Sequence, residues 1–181
     1  MAKGRAGAVA PQPLEKRGPA PRRFEGVALS SIVSPVLARE LKEYYKERGF
    51  FPHDELDVEH LDRFFERTEE GRPFISGSAV MGMLNMYTNL FGGRGEWDRI
   101  KPKVFFLRLE GERCVVHKRF VGKSIVVYEC FPASTKLYLH FIDMGLTEEE
   151  EQKLRELISR AGSTVGIGAW LRRGFGRFRL L

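Results

Sequence analysis

The chain has 181 residues, of which 43% are hydrophobic and 30% charged, and its formal net charge is +6. This composition is typical of a globular protein, and no apolar run reaches the roughly 20 residues that a membrane-spanning helix needs. The basic N-terminus has no apolar stretch behind it, so we expect a cytoplasmic protein without a secretory signal. Cys114 and Cys130 lack a second Cys or His at ligand spacing, which predicts buried free thiols and neither a zinc site nor a disulfide.

The positive charge is concentrated at the two ends of the chain. Residues 1–23 contain six Lys or Arg and one Glu, and residues 165–181 contain four Arg and no acid. The region between them contains 20 basic and 23 acidic residues. This asymmetry predicts a polyanionic partner that meets particular surfaces. The alternative is a basic protein whose charged ends are simply solvated.

The first 23 residues are rich in Ala, Gly, Pro and Arg and have no hydrophobic period. Such a segment buries too little surface to offset the entropy of ordering, so we predict a flexible basic arm. An arm of this kind contacts phosphates irrespective of sequence, or only increases solubility. One domain is then expected over residues 24–181.

The elements of the first half follow from periodicity and caps. Loose alternation over residues 24–34 predicts a strand. Ser34 as an N-cap and Pro35 in the first turn predict a helix that Gly49 ends. Apolar stripes predict a second helix over residues 58–68 and a third over residues 78–90.

The second half is richer in strands. Residues 91–102 contain three glycines and Trp97 and predict an exposed loop. Residues 104–121 predict a hairpin that turns near Gly111, and residues 124–131 with residues 136–144 predict a second strand pair. Thr147 and Glu150 form a capping-box pattern at the start of a helix that Gly162 ends. The element order predicts an α+β fold, a ferredoxin-like (RRM-like) βαββαβ core with helical and hairpin insertions.

The closing residues carry a repeated glycine pattern, VGIGAWLRRGFGRFRLL. Glycines at both ends of a five-residue spacer allow positive φ and bring bare N–H groups close to a ligand. Arginine pairs well with phosphate oxygens, while Trp170, Phe175 and Phe178 offer faces for stacking of bases. The alternative is a glycine-rich hairpin with solvated arginines. The predicted nucleic-acid contacts here are Gly166, Gly168, Trp170, Arg172, Arg173, Gly174, Gly176 and Arg177.

This pattern resembles the glycine-rich loop, GhGxxxxxGhG with h hydrophobic, of the RAMP superfamily of CRISPR-associated RNA-binding proteins. A second segment, GRPFISGSAVMGML at residues 71–84, is similar to the "IPGSSLKGAL" segment of the backbone subunits of CRISPR effector complexes. Ser76 stands where that pattern has proline, and Met81 where it has lysine. A small-residue turn that opens a helix presents N–H groups to an anion, so Ser76, Gly77 and Ser78 are predicted contacts.

The resemblance implies a non-catalytic subunit that holds single-stranded guide RNA and lines up with copies of itself or with related RAMP subunits. Lys118, Arg119 and Lys123, in the region of the projecting hairpin of such subunits, are further predicted contacts, with a solvated hairpin tip as the alternative. A viral or phage protein of the same fold that binds single-stranded RNA or DNA is a second hypothesis, and an interaction module that binds neither RNA nor DNA is another.

A third hypothesis is a guide-processing endoribonuclease, which needs a general base such as His53 or His60. Neighbouring acids would repel the RNA, although such acids can also bind Mg²⁺ or form a solvated helix face. Some target-cleaving backbone subunits use an Asp just after the first strand, and residues 30–35 contain no acid. We therefore expect no catalytic residue, no metal and no cofactor. The acids near the two histidines are Asp54, Glu55, Asp57, Glu59 and Asp62.

Overall fold

The computed structural model describes residues 18–37, 47 and 61–181, which form an α+β structure with two sheets. Three α-helices lie in this part of the chain: α1 (Gly77–Phe91), α2 (Arg94–Ile100) and α3 (Glu148–Thr164). The ten strands are β1 (Ala20–Ala28), β2 (Ile32–Val33), β3 (Leu61–Arg63), β4 (Glu66–Arg67), β5 (Pro73–Ser76), β6 (Val104–Gly111), β7 (Val115–Val121), β8 (Ser124–Phe131), β9 (Lys136–Asp143) and β10 (Phe178–Leu180).

The larger sheet has the order β10-β1-β9-β6-β5-β4 and is antiparallel throughout. In the smaller sheet, β8 is the central strand. Strands β2 and β3 pair with one of its edges, and β7 pairs with the other. Alternate residues of the central strands β1 and β9 are buried, among them Phe24 and Phe141, whose ring centroids are 4.6 Å apart. They pack in one core with the buried stripes of α1 and α3, because side chains on a strand alternate between its two faces.

Helix α3 begins as predicted. The Thr147 hydroxyl accepts from the N–H of Glu150, and the Glu150 carboxylate accepts from the N–H of Thr147. The helix does not end at Gly162 but continues to Thr164. Gly162 is buried, and a Cβ there would lie 2.7 Å from the carbonyl oxygen of Phe178, so this glycine allows β10 to approach the helix. The predicted third helix is also present, as α1.

The predicted helix at residues 58–68 is wrong over its described part, which forms β3 and β4. Leu61 pairs with Val127 on β8, and the N–H of Phe65 donates to the buried carboxylate of Glu129 at 2.7 Å. Phe64 and Phe65 are fully buried. Tertiary partners therefore satisfy the backbone groups that a helix would have satisfied locally.

A helix starting at Ser34 and Pro35 is not found, because Leu37 forms a β-bridge with Arg63 and the Ser34 hydroxyl donates to the carbonyl of Phe64. The rest of that predicted helix, as far as Gly49, falls in a stretch where only residue 47 is described, and that residue is helical. The candidate general bases His53 and His60, with four of the five acids near them, also lie outside the described residues. Asp62 is described, and its carboxylate accepts from the N–H of Val127 at 2.9 Å.

Two further predictions of local structure are wrong. Residues 94–100 form α2 rather than an exposed loop, and Trp97 is buried with its indole N–H donating to the Asn85 side chain at 2.8 Å. No hairpin turns near Gly111, because β6 pairs with β5 and β9, whereas β7 pairs with β8 across a turn at Gly122. Likewise, β8 and β9 belong to different sheets instead of pairing.

The expected arm and the cysteines fall partly within the described residues. Residues 1–17 lie outside them, and β1 begins at Ala20, so Arg22 belongs to a strand and pairs with Asp143 at 3.1 Å and Glu151 at 2.6 Å.

Both cysteines are free, with Cys130 buried and Cys114 half-buried. Burial raises the pKa of both thiols, that of Cys130 to about 11. Among the described helices, none is long and apolar enough to cross a membrane.

Candidate nucleic-acid interface

The glycine-rich loop, residues 166–176, packs on the connection between β1 and β2. The N–H of Gly176 donates to the carbonyl of Ser31 at 2.9 Å, and the N–H of Ala169 donates to the carbonyl of Val33 at 3.0 Å. The loop is closed on itself by the N–H of Ile167, which donates to the carbonyl of Gly176 at 2.9 Å. The loop is therefore a fixed part of the fold.

Close packing explains three of the four glycines in this loop. All four have positive φ, between 81° and 93°. A Cβ at Gly166 would lie 2.7 Å from the carbonyl oxygen of Gly176, and one at Gly168 or Gly176 would overlap a backbone carbonyl. Gly174 has open space around it and needs glycine only for its φ of 87°.

The expectation that these glycines offer bare N–H groups to a ligand is wrong for three of them. The N–H of Gly166 donates to Ala161 at 3.0 Å, that of Gly174 to Leu171 at 3.1 Å, and that of Gly176 to Ser31. The chain uses these N–H groups to hold the loop. The loop therefore meets its surroundings mainly through side chains.

The arginines of the loop divide into two kinds. Arg172 and Arg173 are exposed in the short 3₁₀ turn Leu171–Arg173. Arg177 is half-buried, and its guanidinium donates to the carbonyls of Val165 and Leu171, so it holds the loop from inside. Phe178 is fully buried in the core and offers no face to a base, contrary to expectation. Arg172 and Arg173 are therefore the charges that the loop presents to solvent.

Trp170 has an unusual backbone conformation for a bulky residue, with φ 58° and ψ 36°. A left-handed non-glycine residue costs about 1–3 kcal/mol and persists only where its surroundings hold it. The indole meets the Tyr128 ring edge-on, with centroids 4.8 Å apart, and the Phe175 ring with centroids 5.8 Å apart. Tertiary contacts from β8 and from the loop itself thus fix this ring.

Hairpin β7–β8 turns one face to the loop. Register pairs His117 with Tyr128, so the two rings share that face, with centroids 6.0 Å apart. The Arg119 guanidinium carbon, on the same face, lies 5.6 Å from the Phe175 ring centroid. The guanidinium carbon of Arg63, which is on β3, lies 5.8 Å from the Trp170 ring centroid. We call these residues the loop–hairpin junction: Arg63, His117, Arg119, Tyr128, Trp170 and Phe175.

The junction contains some residues that the sequence predicted and some that it did not. Arg119, Trp170 and Phe175 were predicted and lie together, because the Phe175 ring contacts both of the others. Lys118 points to the opposite face of β7, and Lys123 lies in the turn at the tip. Arg63, His117 and Tyr128 were missed. The alternation of His117 and Arg119 along a strand was the available signal, because residues two apart share a face.

The Ser76-Gly77-Ser78 turn lies elsewhere. It joins β5 to α1, and three strand spacings, about 14 Å, separate β5 from β1 in the sheet. The two serine hydroxyls are 2.8 Å apart, and Gly77 is buried where a Cβ would overlap the carbonyl of Phe106. The turn and the loop therefore adjoin different strands of the larger sheet, and a groove that contains both stays a prediction.

Histidines and carboxylates do not gather into a metal-binding cluster in the described part of the chain. In residues 18–37, 47 and 61–181, no group of three His, Cys, Asp or Glu side chains is placed to hold a metal ion. His117 lies at the loop–hairpin junction. His140, on β9, has its pKa lowered by burial even though the Glu110 carboxylate 3.4 Å away raises it.

Comparison with known proteins shows similarity at the level of fold. No family model matches the chain, and no curated protein matches it significantly. A chain of the cryo-EM structure of the Type III-B Cmr-beta bound to cognate target RNA matches with a TM-score of 0.59 at 12% identity, covering 91% of this chain and 59% of that one. This chain thus spans about three-fifths of that chain's length.

Two further structures match over nearly their whole chains. The crystal structure of Cmr6 from Pyrococcus furiosus has a TM-score of 0.51 at 13% identity and is covered over 98% of its chain, with 90% of this chain aligned. A chain of a Type IV-B CRISPR complex has a TM-score of 0.50 at 14% identity, with 90% of each chain covered. Identities this low show a shared fold: the chain is similar in fold to subunits of CRISPR complexes.

Proposed function

We propose that the chain is an RNA-binding subunit of a CRISPR-type ribonucleoprotein and belongs to the RAMP superfamily. In this proposal it holds single-stranded guide RNA along the glycine-rich loop and the adjoining face of hairpin β7–β8. The observation that carries it is the contact of Arg119 with Phe175, which joins the basic hairpin to the loop. Both segments were independently predicted to contact RNA.

The topology supports a ferredoxin-like core. Four neighbouring strands of the larger sheet have the order β10-β1-β9-β6. Helix α1 precedes β6 in the chain and α3 precedes β10, as a βαββαβ unit requires. Fold similarity to chains from CRISPR complexes, one of them bound to target RNA, supports the same assignment.

Charge supports contact with the RNA backbone. Arg172 and Arg173 are exposed, residues 165–181 contain no acid, and Arg119 extends the basic surface onto the hairpin. Guanidinium groups bind phosphate oxygens in a bidentate manner. Such contacts release counterions, so the proposed binding weakens as salt rises.

We further propose that the subunit binds RNA without cleaving it. The segment after β1 contains no carboxylate, and its backbone holds the glycine-rich loop through Ser31 and Val33. The endoribonuclease alternative depends on His53 or His60 and predicts metal-independent cleavage of a repeat hairpin that is lost when either is replaced.

The test compares the wild type with Arg172→Ala/Arg173→Ala for binding to single-stranded RNA, single-stranded DNA and duplex RNA across a salt series. Each phosphate contact contributes about −0.7 to the slope of log affinity against log salt concentration on a single strand. Loss of two contacts should therefore make the slope of the double variant less negative by about 1.4. The matched control, Arg94→Ala/Arg99→Ala on α2, removes the same charge from another exposed surface.

Equal affinity and salt slope for the wild type and Arg172→Ala/Arg173→Ala would overturn the proposal. The viral-type alternative, a protein that coats single strands, predicts equal binding of DNA and RNA, because stacking and phosphate contact tolerate either sugar. A clear preference for RNA favours the CRISPR-type subunit.

A further inference from the structure

The loop–hairpin junction is more than a basic surface, because four aromatic rings meet there. His117 is exposed, Trp170 and Phe175 are half-buried, and Tyr128 is buried beneath them. The left-handed backbone at Trp170 shows that the fold tolerates strain to keep this indole in place. Strain of this kind clusters at binding sites, and phosphate binding alone does not require an indole.

We propose that the loop–hairpin junction is a stacking site for an unpaired nucleobase, with Trp170, Phe175 and His117 supplying the ring surfaces. The inference rests on the proposed function, since the RNA backbone brings the base to the site. It assigns the junction a task distinct from that of Arg172 and Arg173. Those two residues bind phosphate, whereas the junction binds a base and thereby discriminates single strands from duplexes.

Arg63 and Arg119 have a place in the same arrangement. Their guanidinium carbons lie 5.8 Å and 5.6 Å from the ring centroids of Trp170 and Phe175, near the outer limit of about 6 Å for attraction between a cation and a ring. Contacts this long are weak and easily exchanged. When a base takes the face of Phe175, the Arg119 guanidinium can turn to the phosphate that flanks that base. The Arg63 guanidinium also donates to the carbonyl of Pro35 at 3.2 Å, so it stays beside the indole.

Tyr128 supports the site and does not stack on the base itself. Its ring is buried, and burial raises the pKa of its hydroxyl, so it stays neutral. Its edge-on contact with Trp170 fixes the angle of the indole. His117 is opposite Tyr128 in the strand register, which places the imidazole at the solvent side of the cluster.

Fluorescence gives a direct test, because the chain has only two tryptophans. Trp97 is buried at α2, so Trp97→Phe leaves Trp170 as the single indole reporter. Titration uses a 12-nucleotide oligouridylate, the matching oligodeoxyuridylate, which differs only in its sugar, and an abasic oligonucleotide of the same length. Stacking predicts that the uridylate quenches Trp170 emission and that the abasic strand, although it carries the same phosphates, does not.

Affinity measurements provide a second readout that does not depend on Trp97→Phe. Removing one stacking surface is expected to reduce oligouridylate affinity about tenfold, as for other single-strand-binding proteins. We expect this for Trp170→Leu and for the exposed His117→Ala, and recovery of most of the affinity in Trp170→Phe. Phe91→Ala removes an exposed aromatic ring from α1 and serves as the matched control.

The outcomes separate the two proposals. Quenching by oligouridylate, together with weaker binding of the abasic strand, supports base stacking, and the oligodeoxyuridylate arm shows whether the sugar matters. Equal affinity for abasic and normal strands without quenching would overturn the stacking site while leaving backbone binding intact. Failure of every strand to bind at low salt would overturn the proposed function itself.

Discussion

Glu129 on β8 and Arg67 on β4 form a buried ion pair, in which the guanidinium donates to the carboxylate. The side chain of Glu129 is 0% exposed and that of Arg67 is 2% exposed. The same carboxylate accepts the N–H of Phe65. It thereby joins β4, at the edge of the larger sheet, to β8 in the smaller sheet, whose other face meets the glycine-rich loop.

Breaking this ion pair should destabilise the protein strongly. We expect Arg67→Met or Glu129→Leu alone to lower the free energy of unfolding by about 3–5 kcal/mol, since each removes one partner of a buried, hydrogen-bonded ion pair. The double variant should recover part of this difference but stay about 1–3 kcal/mol below the wild type, because the Phe65 N–H then has no acceptor. Urea denaturation measures all three.

The exposed pair Arg23 and Glu25, with side-chain exposures of 51% and 50%, is the control for this prediction. Arg23→Ala should change the free energy of unfolding by less than about 1 kcal/mol. If Arg67→Met were equally mild, the buried pair would not be what joins the two sheets.

The two kinds of glycine in the loop should respond differently to alanine. The Cβ that Gly174→Ala adds contacts no other atom, so this variant should lower the free energy of unfolding by only about 1 kcal/mol, because of the positive φ. In Gly168→Ala the added Cβ also overlaps the Val33 carbonyl, so we expect the free energy of unfolding to fall by at least about 3 kcal/mol. RNA binding should weaken as well, because the loop moves away from β2. Thermal unfolding and an RNA-binding assay on both variants check this. Equal effects at the two positions would contradict the packing of the loop on β2.

Asp143 should make the protein sensitive to acid. Burial raises the pKa of Asp143, but the N–H groups of Leu146 and Gly145 and the Arg22 guanidinium outweigh it, so the pKa lies below the ordinary 3.8. Because the folded state binds its proton less readily than the unfolded state, this stabilisation is complete above about pH 5 and is lost as pH falls through the folded pKa.

We expect Asp143→Asn to lower the free energy of unfolding by about 2 kcal/mol at pH 7 and to make it less dependent on pH between about 5 and 3. Denaturation at a series of pH values measures both. Asp98→Asn, in an exposed pair with Arg94, should leave the pH profile as it is in the wild type. A wild-type profile in Asp143→Asn would refute the assignment.

The tip of hairpin β7–β8 presents an apolar pair to solvent, Phe120 and Ile125, which are opposite in register and 78% and 55% exposed. An exposed apolar pair of this kind offers a surface for contact between proteins. If copies line up along RNA through this tip, Phe120→Ser/Ile125→Ser should reduce cooperative binding to a long strand and spare binding to a strand that fits one copy. Titration of strands of two lengths measures this.

The comparison for this variant is Leu90→Ser/Phe91→Ser, which removes an exposed apolar pair from α1. It should leave cooperativity unchanged. Loss of cooperativity in the α1 variant alone would assign the contact between copies to α1 instead of the hairpin.

Features whose evidence is local could be read from the sequence. Thr147 and Glu150 lie three residues apart and cap α3 as predicted, because the hydrogen bonds of a capping box form within one turn. The apolar stripe of α1 and the positive φ of the loop glycines were local in the same sense. The sequence by itself also identified Arg172 and Arg173 as charges without an acid nearby.

Tertiary structure alone decided how these pieces meet. Residues 61–67 have a helical stripe, yet β8 and the buried Glu129 hold them as strands, since partners distant in the chain can outweigh local preference. Because β7 pairs with β8 instead of β6, the face of β7 that carries His117 and Arg119 is turned toward the glycine-rich loop. The contact of Arg119 with Phe175 follows from that pairing, and no local pattern contains it, because strand partners are set by burial and register across the whole fold.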